Sequence, residues 1–186
     1  LMINKAKNVK GPKLLHVITT KGKGYEMAEK DPVKFHGIKN SSQKRKRLPA
    51  NPMYNELFGR LLTDMAAKDE NIVCVCPAMT EGSGLSEFSI THKERYFDVG
   101  ICEQHAVTFS AGLAKNGIKP VCVIYSSFLQ RSYDQLLHDI GLTNKNVVLC
   151  VDRAGITDAY GKTHQGIYDI AYLSTIPNMR ILAPES

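Results

Sequence analysis

A chain of 186 residues, 43% hydrophobic and 23% charged, holds enough apolar material for one sizeable core, or one domain and part of a second. No apolar run reaches the roughly 18 residues needed to cross a bilayer, and no charged-then-apolar signal segment opens the chain, so a cytoplasmic protein with no membrane partner is expected. The net charge of +6 is unevenly held, because residues 1–50 carry 13 Lys and Arg against 3 acids while residues 51–186 carry 11 against 15. The densest basic run, Lys44 to Arg47, lies between Asn40-Ser41-Ser42 and Pro49, which reads as a solvated linker and not a nucleic-acid patch.

In chain order, Leu14 to Thr19 is a short run with β-branched residues after Gly11-Pro12 and predicts a strand. A glycine-rich turn, Lys21-Gly22-Lys23-Gly24-Tyr25, follows, and then a polar stretch to about residue 50. Asn51-Pro52 predicts an N-cap and first helical position. Tyr54, Leu57, Phe58, Leu61, Leu62, Met65 and Ala66 then recur at helical spacing. Strands are expected at Ile72–Cys76, Tyr96–Val99, Val121–Tyr125, Val147–Val151 and from Met179 to Leu182. Helices are expected at Glu103–Lys115, stopped by Asn116-Gly117, at Phe128–Ile140 and at Ile167–Leu173.

Strands apolar on both faces, alternating with helices, predict an α/β doubly wound, mostly parallel sheet covered on each side. The domain division expected is 1–38, a linker at 39–50, and 51–186. Of the five cysteines, Cys74, Cys76, Cys122 and Cys150 sit in apolar runs, where a thiol acts as a small hydrophobe; none forms a C-x-x-C metal or redox spacing.

In such sheets ligands sit beyond the carboxyl ends of the strands. After Val99 come Cys102, Glu103, Gln104 and His105. After Ile124 come Tyr125, Phe128 and Arg131, and after Val151 come Asp152, Arg153 and, further on, His164. A carboxylate, two aromatic rings, two arginines and a histidine are thus predicted to converge on one edge.

Four strings stand out: Phe97 to Ala106 (FDVGICEQHA), Tyr125 to Arg131 (YSSFLQR), Asp152 to Gly155 (DRAG) and Gly161 to Gly166 (GKTHQG). In this order they resemble the pyrimidine-binding domain of the transketolase-like thiamine-diphosphate enzymes. The fuller resemblance is to the 1-deoxy-D-xylulose-5-phosphate synthase family, which the Pro77–Gly84 segment (PAMTEGSG) and Tyr133-Asp134-Gln135 with His138-Asp139 favour. The KGKGY, AEKDP and FHG strings upstream resemble the end of that family's diphosphate-binding domain, so residues 1–38 would be its C-terminal remnant.

The resemblance implies thiamine diphosphate as cofactor, with Mg²⁺ held by residues preceding this chain. It implies a homodimer whose substrates are pyruvate and glyceraldehyde 3-phosphate. Their condensation, with loss of CO₂, would yield a precursor of isoprenoids, thiamine and pyridoxal. Such a cofactor reacts through C2 of its thiazolium ring once the pyrimidine N1' shares a proton with a carboxylate, and a partly dry site suits that sharing.

Glu103 fills that role in the resemblance. Tyr125 and Phe128 would pack around the pyrimidine, and Tyr25 would contact the cofactor. Arg153 and Arg131 would meet the substrate phosphate through the planar guanidinium fork. His164 would face the substrate hydroxyls, where imidazole passes protons near neutral pH. His105 and His138 are read as satisfying local hydrogen bonds.

Two departures from the family pattern stand out. Tyr160 occupies a position that is usually acidic, and the diphosphate-and-metal motif, GDG with a later asparagine, is absent. The chain is therefore expected to be a fragment, inactive alone. A transketolase and a 2-oxo-acid dehydrogenase subunit remain as enzyme alternatives, and a basic nucleic-acid-binding or regulatory module as the non-enzyme one.

Overall fold

The computed structural model describes residues 2–36, 53–157 and 161–184. The chain divides into two compact units, Leu1–Ala50 and Asn51–Ser186.

The first unit holds two short helices, α1 (Met2–Lys7) and α2 (Glu26–Lys30). The turn before α2 needs glycine: Gly22 has φ +82°, and a Cβ there would lie 2.7 Å from the Ala28 side chain. The Gly24 amide donates to Glu29 Oε1 at 2.8 Å, and Tyr25 meets Phe35 edge-on at 5.5 Å. The strand expected at Leu14–Thr19 is absent. That stretch is irregular, with Leu14 92% and Ile18 85% exposed. β-branched residues favour extended backbone, but a strand also needs a neighbour for its N–H and C=O groups. None is found for it among the described residues.

The second unit is built on four parallel strands, β1 (Ile72–Cys76), β2 (Tyr96–Asp98), β3 (Lys119–Tyr125) and β4 (Val148–Asp152), in the order β2-β1-β3-β4. Register follows Cys74 beside Val121 and Val123 beside Cys150. The chain steps outward from β1 to β2, then recrosses to β3 and β4. Its direction therefore reverses between β1 and β3, and right-handed crossovers on either side of that point put helices on opposite faces.

Helix α3 (Tyr54–Lys68) packs with α4 (Ser86–Thr91), while α5 (Glu103–Lys115) packs with the helical turns from Ser126 to Gly141. The α3 contact is close because two glycines meet: a Cβ on Gly59 would lie 1.9 Å from the Gly84 carbonyl oxygen. Between the layers Leu85, Phe88, Val75, Val107, Val123, Ile124, Leu129 and Leu136 are fully buried, each worth about 1.5–3 kcal/mol.

Cys74, Cys76 and Cys122 are fully buried in the same core. Burial raises the Cys74 thiol, and pushes Cys76 and Cys150 to about 11 and Cys122 to about 12, so these four stay protonated and inert.

Several expected elements differ. The N-cap of α3 is Met53, whose N–H donates to Glu56 Oε2 at 3.3 Å; Asn51 and Pro52 lie outside the described residues, as does the 39–50 linker. Only part of the expected apolar face of α3 is covered: Leu62 and Ala66 are buried, whereas Tyr54, Leu57, Leu61 and Met65 are exposed.

The single helix expected over Phe128–Ile140 is broken. It runs as α6 (Ser126–Leu129), a 3₁₀ turn (Gln130–Ser132), α7 (Tyr133–Gln135) and a π-helical turn (Leu136–Gly141). The widening falls at Gly141, where a Cβ would lie 2.5 Å from Ile176 Cγ2; a wider turn keeps room for that contact. The last helix, α8, spans Asp169–Leu173, and no strand forms over Met179–Leu182. No described helix is long and apolar enough to cross a membrane.

Candidate functional site at the carboxyl edge of the sheet

The ends of β1 and β2 are tied together before any reactive group is placed. Asp98 closes β2 and accepts the N–H groups of Ala78 at 3.0 Å and Gly100 at 2.9 Å, joining the turn after β1 to the turn before α5. Ala78 holds a left-handed φ of +58° and Gly100 one of +71°, a conformation available to Gly100 at no steric cost. Thr80 adds a 2.5 Å bond to the Tyr96 hydroxyl, and desolvation lifts that phenol above its ordinary range.

Glu103 is the first residue of α5, where a carboxylate is favoured by the helix dipole. It is 3% exposed, unusual for an acid, and its Oε1 accepts Arg131 Nη1 at 2.6 Å. Its Oε2 has no partner among the described residues. Burial without pairing would be costly, and the arginine offsets that cost while leaving one oxygen available to a further donor.

From Arg131 the site continues as a chain of contacts. Its guanidinium lies 4.8 Å over the Phe128 ring, Phe128 stacks on Tyr125 at 5.8 Å and 20°, and Arg153 lies 3.7 Å over the other ring of that pair, Tyr125. Phe128 also meets His164 edge-on at 5.5 Å. The structure thus brings together Glu103, Arg131, Phe128, Tyr125, Arg153 and His164. Tyr25 belongs to the other unit, where its hydroxyl donates to Met27 Sδ at 3.4 Å.

Arg153 has a left-handed φ of +57° and is held by its neighbours: Nη1 donates to Asp152 Oδ2 at 2.6 Å and to the Gly82 carbonyl at 3.1 Å. That carbonyl also accepts Asn55 Nδ2 at 2.8 Å. Gly82 has no room for a side chain, since a Cβ would fall 1.7 Å from the Tyr125 hydroxyl and 3.2 Å from Arg153 Nη2.

Gly82, Asn55 and Asp98 are supporting residues that sequence reasoning assigned no role. The PAMTEGSG string carries a signal for the first, because its two glycines, six and eight residues after the end of β1, mark a turn where backbone can approach closely. Nothing marks Asn55, whose partner lies 27 residues away.

The histidine arrives on a loop that closes on itself. Gly155 and Gly166 exchange backbone bonds of 2.7 and 2.8 Å, and a Cβ on Gly166 would lie 2.4 Å from Ser126 Oγ. His164 Nδ1 pairs with the Thr163 hydroxyl at 2.8 Å, leaving Nε2 with no partner among the described residues. Asp158 and Tyr160 lie outside the described residues. Elsewhere, His138 Nδ1 meets Asp134 Oδ1 at 2.9 Å and His105 stacks on Phe109 at 5.8 Å.

Residues 50–186 match the transketolase pyrimidine-binding domain family. The chain belongs to that family. Among sequence relatives it is 55% identical to 1-deoxy-D-xylulose-5-phosphate synthase of Neisseria meningitidis serogroup A, over 94% of this chain and 29% of that protein. It is 56% identical to the enzyme of the same name from Aeromonas hydrophila, over 96% and 29%. The chain therefore spans under a third of the length of the relatives it matches.

Among solved structures, a split-gene transketolase, described as an inactive β4 tetramer, is 27% identical with a TM-score of 0.57, over 66% of this chain and 40% of that one. The transketolase of Campylobacter jejuni, 18% identical with a TM-score of 0.59 over 67% and 20%, shares the fold. The fold expected from the sequence is thus the one found: a parallel α/β pyrimidine-binding domain.

Proposed function

We propose that this chain is the pyrimidine-binding part of a 1-deoxy-D-xylulose-5-phosphate synthase. The whole enzyme would be cytoplasmic and homodimeric, condensing pyruvate with glyceraldehyde 3-phosphate and releasing CO₂. The observation that carries this reading is the buried Glu103, with one oxygen on Arg131 and the other without a partner among the described residues, beside the stacked Tyr125 and Phe128. Those residues suit a protonated heteroaromatic nitrogen and a flat ring. Thiamine diphosphate, when bound, would supply the electron sink for loss of CO₂ from the 2-oxo acid.

The work of this chain's own residues then follows. Glu103 holds a proton between its free oxygen and the pyrimidine N1', and its burial keeps water from competing for that bond. Tyr125 and Phe128 line the pyrimidine. Arg153 presents its guanidinium to the substrate phosphate. Arg131 has one nitrogen committed to Glu103, so it balances that charge and turns its remaining donors to the same phosphate. His164 Nε2 moves a proton to or from the substrate hydroxyls. The diphosphate and its Mg²⁺ are assigned to a part of the enzyme outside this chain, and the chain alone is expected to be inactive.

The test is CO₂ release from pyruvate by the full-length parent, with thiamine diphosphate and Mg²⁺, with and without glyceraldehyde 3-phosphate. Release that depends on the aldehyde supports the synthase. Transfer from a ketose phosphate without CO₂ release would assign the parent to the transketolases instead, and turnover by the 186-residue chain alone would refute its expected inactivity.

A further inference from the structure

The loop that carries His164 has an unusual second rung. Gly155 and Gly166 form a backbone pair in which each N–H meets the other's C=O. In an antiparallel ladder the next such pair would be Thr157 with His164. Instead the Gln165 side chain takes that place: Thr157 N–H donates to Gln165 Oε1 at 2.7 Å, and Gln165 Nε2 donates to Thr157 O at 2.8 Å. The second Nε2 hydrogen reaches Gly161 O at 2.7 Å. The His164 backbone is left to other partners, its carbonyl accepting the Thr157 hydroxyl at 3.0 Å and its N–H meeting Gly161 O at 3.5 Å.

A primary amide is the one side-chain group that copies a peptide, with donor and acceptor in one plane. Its orientation is set by the chemistry, because the reverse would aim two N–H donors at each other at Thr157. An ionised glutamate lacks the donors, and asparagine is one methylene shorter.

We propose that Gln165 is a positioning residue that acts through His164: its amide replaces the histidine's own backbone in the ladder and so sets the imidazole against Phe128, with Nε2 toward the substrate. Thr157 is its partner in this clamp. The inference rests on the function proposed above for His164, and its test is arranged to fail separately from that function.

The experiment uses the full-length enzyme with Gln165→Met, which keeps the length of the side chain and removes all three bonds. It is made alone and together with His164→Ala. The expected result is a fall in kcat of about 100-fold for Gln165→Met alone, as a misplaced reacting group gives. Thiamine-diphosphate affinity should stay within about twofold, since Gln165 touches none of the Glu103, Tyr125 and Phe128 group. On the His164→Ala background the same substitution should add no more than about twofold.

An independent readout needs no turnover: labelling of His164 by diethyl pyrocarbonate, followed by mass spectrometry, should quicken several-fold in Gln165→Met as the ring leaves Phe128. Equal losses on both backgrounds would overturn the proposal, as would unchanged labelling. If the wild-type parent releases no CO₂ under any donor condition, the synthase reading falls, while the labelling comparison still decides whether Gln165 sets the histidine.

Discussion

The candidate site has two halves that are held in different ways. One half, Glu103 with Arg131, Tyr125 and Phe128, stands on the first turn of α5, on the end of β3 and on the helical turns that follow it directly, so its geometry is inherited from regular elements. The other half, Arg153 and His164, hangs on loop backbone fixed by left-handed residues, a two-glycine rung and a glutamine amide. Regular elements position a group through many shared contacts, so single substitutions there change chemistry before geometry. A loop held by a few specific bonds should behave the other way, with geometry failing first.

The sharpest break of that contrast is Glu103→Gln in the full-length enzyme. It keeps the shape and the hydrogen-bonding reach, so the fold should survive, while turnover falls by about 1,000-fold or more, within the range for a lost acid–base group. Retained CO₂ release would show that the buried carboxylate is only structural. Next is Gly82→Ala, which forces Tyr125 and Arg153 apart where the two halves meet. Overpacking of this kind costs about 1–3 kcal/mol, and chemical denaturation should show it together with a raised KM for the aldehyde phosphate. An unchanged stability and KM would mean that the two rings are not pinned at this point.

Arg131→Met should cost less, about 1–2 kcal/mol in denaturant unfolding, because the arginine side chain is 49% exposed and water screens part of the lost charge-assisted bond. The smallest effect concerns the thiols. A native thiol titration of the 186-residue chain should find one fast group, the exposed Cys102, against five in denaturant. Rapid reaction of a second thiol at neutral pH would show that the strands carrying Cys74, Cys76, Cys122 or Cys150 open readily.

How much of this was legible beforehand follows the same division. The four strands of the second unit and helix α5 are found within two residues of their expected places, since continuous apolar runs and helical spacing reflect burial on both faces of a parallel sheet. The site residues around Glu103 follow, because strand ends and helix starts can be read locally. The π-helical turn at Leu136–Gly141 could not be read that way. It ends at Gly141, which packs against Ile176, 35 positions on, and no local spacing encodes such an approach. Leu14 to Thr19 shows the reverse error, a local propensity for extended backbone with no neighbouring strand to complete it.

The sequence by itself determined the parallel α/β class, the helix that begins at Glu103, and the set of charged and aromatic groups at the carboxyl edge. Hydrophobic period and residue type act over a few positions, and these features need nothing more. Only the tertiary structure decided that Arg131 pairs with Glu103, that Gly82 lets Tyr125 and Arg153 meet, and that the Gln165 amide stands in for backbone in the loop bearing His164. The Glu103–Arg131 and Gly82–Arg153 contacts join elements brought together by the fold, and the loop rung needs the turn of the chain to face Thr157 with Gln165. In each case one missing or added group changes the partner's position, which composition and spacing do not record.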